Sequence, residues 1–277
     1  MTKTIISKQL TRNNTINLTD NKINLFLQFF INSNFERQHE IEYVLKQNVN
    51  NQYIDAIYLL NEKFYTDDEL GVKSHKIIQI NIGSRLKFSD VFLFINSHNI
   101  KGYNILLNSD IFFDDSIYNL LYSDLHYTKT ICALLRYEFD TDNINKSKLY
   151  NDYPSRSQDT WIIHSNNTLT NDQINKLDFP LGRLGCDNAL AYLFHSFNYE
   201  LINDPLSIKT FHYHSSNHRT YTEGERITNK PYLHIFPFNI ELFGNTNSNY
   251  FIVIVIVILI IIVLLYLLYR YVYNKKI

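Results

Sequence analysis

Four stretches of the chain gather side chains able to do chemistry. The first is residues 103–114 (YNILLNSDIFFD), an apolar run that passes straight into Asn108, Ser109 and Asp110. In parallel α/β sheets, ligands collect at the carboxyl ends of strands. A carboxylate there can hold a divalent cation against a diphosphate, because hard cations prefer oxygen ligands. The same polar residues also suit a turn, with Asp114 or Asp115 capping the helix that follows. The cap is the expectation for those two acids. Asp110 sits too far before the helix to cap it and is assigned to function.

The second stretch is residues 182–188 (GRLGCDN), ahead of a helix whose apolar face is Leu190, Leu193, Phe194 and Phe197. Helical spacing puts Asp187 on that inward face, in the first turn. Its plainer reading is a simple helix cap or a first-turn acid favoured by the helix dipole. The third is residues 208–218 (IKTFHYHSSNH), where alternation places His212 and His214 on one face of an extended segment. Two such imidazoles can ligate a metal or be hydrogen-bonded core histidines. The fourth is residues 157–163 (SQDTWII), with Asp159 beside Trp161, the single tryptophan of the chain. A ring next to a carboxylate suits a sugar, and a core tryptophan at a strand start fits equally. Arg85 follows a strand in the sequence GSR and can meet a phosphate or an acceptor, or lie at the surface where a helix starts.

The elements that must position these groups alternate. Residues 22–30, 54–60, 76–82, 103–107, 129–137 and 199–202 read as strands; residues 34–47, 87–96, 115–124 and 186–197 read as helices. That order predicts an α/β fold with a largely parallel sheet flanked by helices. Residues 140–157 are polar and are expected as a surface loop, and residues 1–20 as a polar, frayed extension.

With 26 Lys and Arg against 27 Asp and Glu, the chain lacks the basic excess of a non-specific nucleic-acid binder, and no nucleic-acid partner is expected. Two cysteines exclude a disulfide-dense scaffold and a Cys-based zinc finger. The 21 Tyr and 19 Phe argue against disorder along most of the length.

Residues 250–269 carry no charge and are mostly Ile, Val and Leu. Twenty residues of helix span roughly 30 Å, the thickness of a bilayer core. One C-terminal transmembrane helix is therefore expected over 250–272, with Tyr250, Tyr269, Tyr271 and Tyr273 as an aromatic belt. Residues 241–249 would be a linker and 273–277 a short basic tail. The first twenty residues have no signal-peptide core, which predicts a single-pass C-terminal anchor with the globular part, residues 21–240, in the cytosol. Arg270, Lys275 and Lys276 after the segment argue for the opposite orientation.

Taken in order, the four stretches resemble the GT-A class of nucleotide-sugar-dependent glycosyltransferases, over roughly residues 22–220. The D-x-D motif of that class appears as Asn108, Ser109 and Asp110, one acid short but with the metal-ligating last acid kept. The later x-E-D-like motif appears as Gly185, Cys186 and Asp187, with Cys where Glu is usual, and the late metal-completing His would be His212 or His214. The resemblance implies a GT-A-like domain and a membrane-anchored, metal-dependent glycosyltransferase. It implies Mn²⁺ or Mg²⁺ on Asp110, His212 and His214, and a nucleotide-diphosphate sugar on Asn108, Ser109, Asp110 and Arg85. Asp187 would be the catalytic base of an inverting reaction. Asp159 and Trp161 would face an acceptor, whether glycan, protein or lipid. The competing expectation is a non-catalytic, membrane-tethered binding or scaffold protein with the same fold, which the missing acid at Asn108 favours. A metal-dependent phosphoesterase would need further His and Asp at strand ends, and they are not there.

Overall fold

The run INLFL at residues 23–27 is buried at every position. A strand apolar on both sides belongs in a sheet covered on both faces. A computed structural model describes residues 2–16, 20–216 and 222–239 of the chain. It begins with β1 (Thr2–Ile6), β2 (Ile23–Leu27), α1 (Phe35–Asn50), β3 (Ala56–Asn61), α2 (Asp67–Leu70), β4 (Ile77–Asn81) and α3 (Phe88–Ser97). Next come β5 (Tyr103–Leu107), β6 (Ile111–Phe113), a 3₁₀ helix (Asp115–Tyr122), β7 (Thr130–Leu135), β8 (Tyr137–Glu138) and β9 (Lys148–Leu149). The chain continues through β10 (Gln158–His164), α4 (Asn171–Asn175), α5 (Cys186–Ser196), β11 (Glu200–Ile202), β12 (Thr210–His212) and β13 (Tyr232–Phe236).

Among the described residues a seven-stranded sheet has the order β11-β7-β10-β5-β2-β3-β4. All its neighbours pair in parallel except at β10, which is antiparallel to both β5 and β7. The expected α/β class and largely parallel sheet are therefore present. Alternate residues of β5 and β10 feed two cores. Leu106, Trp161 and Ile163 face α3 and α5, while Ile105, Leu107 and Ile162 face α1.

A second sheet, of order β6-β12-β8-β9, positions the chemistry. Strand β5 runs on through residues 108–110 into β6, and β7 runs on through Arg136 into β8. In the large sheet β10 lies between β5 and β7; in the small one β12 lies between β6 and β8. Two strands thus cross a seam from one sheet to the other, and their polar residues fall at the crossing. The small sheet packs on α1 through Val44, Phe112 and Phe211.

The first residues differ from the frayed extension expected of them. Strand β1 pairs in parallel with β13, Thr2 opposite Tyr232 through Ile6 opposite Phe236. The loop expected over 140–157 contains the short strand β9. The expected membrane segment, 250–272, and its flanking linker and tail lie outside the described residues. Among the described residues no helix is long and apolar enough to cross a membrane.

Candidate active site

The carboxyl ends of β2, β5 and β7, the start of β10 and the first turn of α5 open onto one cleft of about 1190 Å³. Asp110, His212 and His214 lie along one wall. One ligating atom from each falls within 4.8 Å of the others. Asp110 Oδ2 is 3.4 Å from His212 Nε2 and 3.6 Å from His214 Nδ1. Asp110 Oδ1 and His214 Nε2 are buried without a hydrogen-bond partner. Orphaned buried acceptors are costly unless something fills the site. An oxygen and two imidazoles are a donor set that suits a divalent cation, so these residues fit the metal expected of them.

Helix α1 braces this wall. The buried Arg37 donates to Asp110 Oδ2 at 2.5 Å and to Glu40 at 2.8 Å. Glu40 in turn accepts the backbone N–H groups of Ser215 and Ser216, at 2.7 and 2.8 Å, and so fixes the chain just after His214. Burial would raise the Asp110 carboxyl, but His212, His214 and Arg37 outweigh it and hold it well below the usual carboxylate range. Burial works against the His212 cation too, yet Asp110 and Glu138 push its pKa up to about 9.

A chain of polar contacts leads from His212 around the cleft. His212 Nδ1 donates to Glu138 at 3.0 Å, and Arg136 Nε donates to the other Glu138 oxygen at 2.8 Å. Arg136 also reaches Asp159 at 2.5 Å, and Asp159 accepts from the Asn108 amide at 2.9 Å. Asp159 sits where the pairing of β10 with β7 slips between Gln158 and Thr160, a bulge that re-aims side chains.

On the α5 wall, Asp187 lines the cleft, half-buried. The helix is entered through Gly185 in the left-handed conformation, φ 79°, with no side-chain cap. Asp187 is therefore not the cap. Desolvation first, then the neighbouring Asp159 charge, raise its pKa well above that of an ordinary aspartate. Such a carboxylate is a stronger base than one in water.

Asn108, Ser109, Asp110, Arg85, Asp159, Asp187, His212 and His214 all line this one cleft. Arg85 bonds the backbone oxygens of Leu181 and Gly182, at 3.3 and 3.5 Å. Trp161 corrects the sequence reading. It is 2% exposed, donates its indole N–H to Gln158 O at 3.0 Å and stacks near Phe194, so it is core beneath Asp187 and not a platform for a sugar. Asp114 caps the 3₁₀ helix by accepting from Ser116 N, as expected. Sequence reasoning missed Arg37, Glu40, Arg136 and Glu138. The last two follow a parallel strand, the place where ligands gather, so a signal existed for them. Arg37 and Glu40 lie on a polar helix that gave none.

No model of a known protein family matches the sequence, and no curated protein matches it. Solved structures do resemble it. A mannosyltransferase from Pyrobaculum calidifontis, in complex with GDP-Man and Mn²⁺, is 10% identical, with 77% of this chain and 61% of that chain covered and a TM-score of 0.46. A putative nucleotide-diphospho-sugar transferase from Desulfovibrio desulfuricans is 7% identical, covering 84% and 89% with a TM-score of 0.43. A 4-diphosphocytidyl-2C-methyl-D-erythritol synthase from Anaerococcus prevotii is 13% identical, covering 74% and 92% with a TM-score of 0.42.

Proposed function

We propose that the protein is a cation-dependent glycosyltransferase that moves a sugar from a nucleotide-diphosphate donor to an acceptor hydroxyl. The observation that carries this reading is the convergence of Asp110, His212 and His214 at a strand end, facing a raised-pKa Asp187 across one cleft. Asp110, His212 and His214 would hold Mn²⁺ or Mg²⁺. When bound, the cation would offset the charge that grows on the departing diphosphate. Asn108, Ser109 and Arg85 line the donor side. In an inverting transfer Asp187 takes the proton of the acceptor hydroxyl. The acceptor oxygen then bonds the anomeric carbon, and the donor C–O bond breaks with its electron pair going to the diphosphate. Asp159 faces the acceptor, held in place by Arg136.

The test is a screen of UDP- and GDP-sugars for Mn²⁺-dependent release of free nucleotide. Release should vanish in chelator and in Asp110→Asn, and stay within about twofold in Asp114→Asn, whose parent residue caps a helix. A second reading, a non-catalytic binding protein with this fold, has a structural observation in its favour beside the missing acid at Asn108. Arg37 already neutralises Asp110 at 2.5 Å. Metal-independent nucleotide binding without turnover of any donor would favour it.

We also propose that residues 250–272 tether the domain to a membrane, because residues 250–269 are uncharged and mostly Ile, Val and Leu. The full chain should sediment with membranes, and a chain ending at residue 249 should not. A truncated chain that stays with membranes through a high-salt wash would refute a single anchor.

A further inference from the structure

Arg136 is the one residue between β7 and β8, at the point where the chain leaves the large sheet for the small one. Its side chain is 12% exposed and lies over the Tyr150 ring, 4.3 Å from the centroid. It holds two carboxylates that serve different halves of the cleft. One is Glu138, which fixes His212 on the cation side. The other is Asp159, which lies between Asn108 and Asp187 on the acceptor side. Glu138 is half-exposed, 44% of its side chain, and would turn into solvent without that hold. A carboxylate only accepts hydrogen bonds, so His212 Nδ1 must carry the proton, which turns Nε2 toward Asp110.

We propose that Arg136 is a positioning residue that ties the acceptor-side acid to the cation site, so that what Asp159 meets alters how His212 is held. This rests on the cation reading of Asp110, His212 and His214. A guanidinium fork can hold two carboxylates at set angles, whereas an ammonium is a point charge on a flexible stem. Replacing Asp159 lets Arg136 turn wholly to Glu138 and compete with His212 for it.

The experiment is titration of the full chain with Mn²⁺ alone, read by electron paramagnetic resonance, with a thermal melt of each variant. Asp110→Asn serves as the control for the site. Arg136→Lys should bind Mn²⁺ about tenfold more weakly, within the range seen when a ligand's supporting partner is lost. Asp159→Asn, which touches no cation ligand, should weaken binding several-fold. In the double variant Asp159→Asn should add nothing to Arg136→Lys, because the coupling runs through the fork. Additive losses would mean that Asp159 acts through space and would overturn the proposal. So would unchanged Mn²⁺ affinity in Arg136→Lys with only a lower melting temperature. If Arg136→Lys fails to fold, Asp159→Asn decides alone, and unchanged affinity there overturns the proposal. No Mn²⁺ binding by the unaltered chain overturns it together with the cation assignment. Binding that Asp110→Asn abolishes but Arg136→Lys leaves intact overturns the coupling only.

Discussion

Asp187 is held by desolvation and by Asp159 in a state that keeps its proton longer than a carboxylate in water. The folded chain therefore binds more protons than the unfolded one above the ordinary aspartate range, and stability falls as pH rises through that window. Asp187→Asn removes this penalty. The variant should melt higher than the parent at pH 7 to 8, with the gain fading toward about pH 3, below the ordinary aspartate value, where both states are mostly protonated. Transfer should fall by about 10²–10⁴-fold while donor binding survives. Melting curves at the two pH values and turnover on one preparation check both. A variant that melts lower at neutral pH and turns over normally would return Asp187 to an ordinary first-turn acid.

At the scale of elements, the entry to α5 is what aims Asp187. Gly185 has φ 79°, and a Cβ there would run into the Tyr232 hydroxyl of β13. Gly185→Ala should cost about 1 kcal/mol or more in a denaturant melt and lower turnover by moving the first turn. Unchanged stability would mean that the loop has room to give. The helix, its inward acid and the polar end of β5 were legible because the apolar run Ile105, Leu106 and Leu107 passed straight into Asn108, Ser109 and Asp110. Trp161 was misread because the sheet is covered on both faces. Apolar residues alternate to two cores, and alternation alone does not say which position meets the cleft. The slip in pairing that aims Asp159 has no mark in the sequence. Strand β1 was missed because its partner, β13, lies at the far end of the domain and four of its five residues are exposed. Arg37 was illegible for the same reason, since its partner Asp110 is distant in the chain.

Across the whole molecule, the end of β10 away from the cleft sets the acid limit. His164, at the end of β10, and His126 are buried with ring centroids 5.8 Å apart. Desolvation lowers both below the ordinary histidine value. The unfolded chain therefore takes up protons first, and stability should fall as pH drops below about 6.5. Thermal melts at pH 7 and pH 5 should show that loss, and His126→Gln should reduce it. An equal acid loss in the variant would assign the effect elsewhere.

The two strands that cross the seam also limit how the protein can answer a ligand. A hinge needs a few residues free to swing, but here β5 with β6 and β7 with β8 are two struts, each spanning both sheets. Rotating one sheet against the other would bend both struts and pull apart the β12 ladder that joins them. Binding free energy spent on closing a jaw in other architectures would here remain available to the bound complex, and the cleft would meet its ligands as a rigid mould.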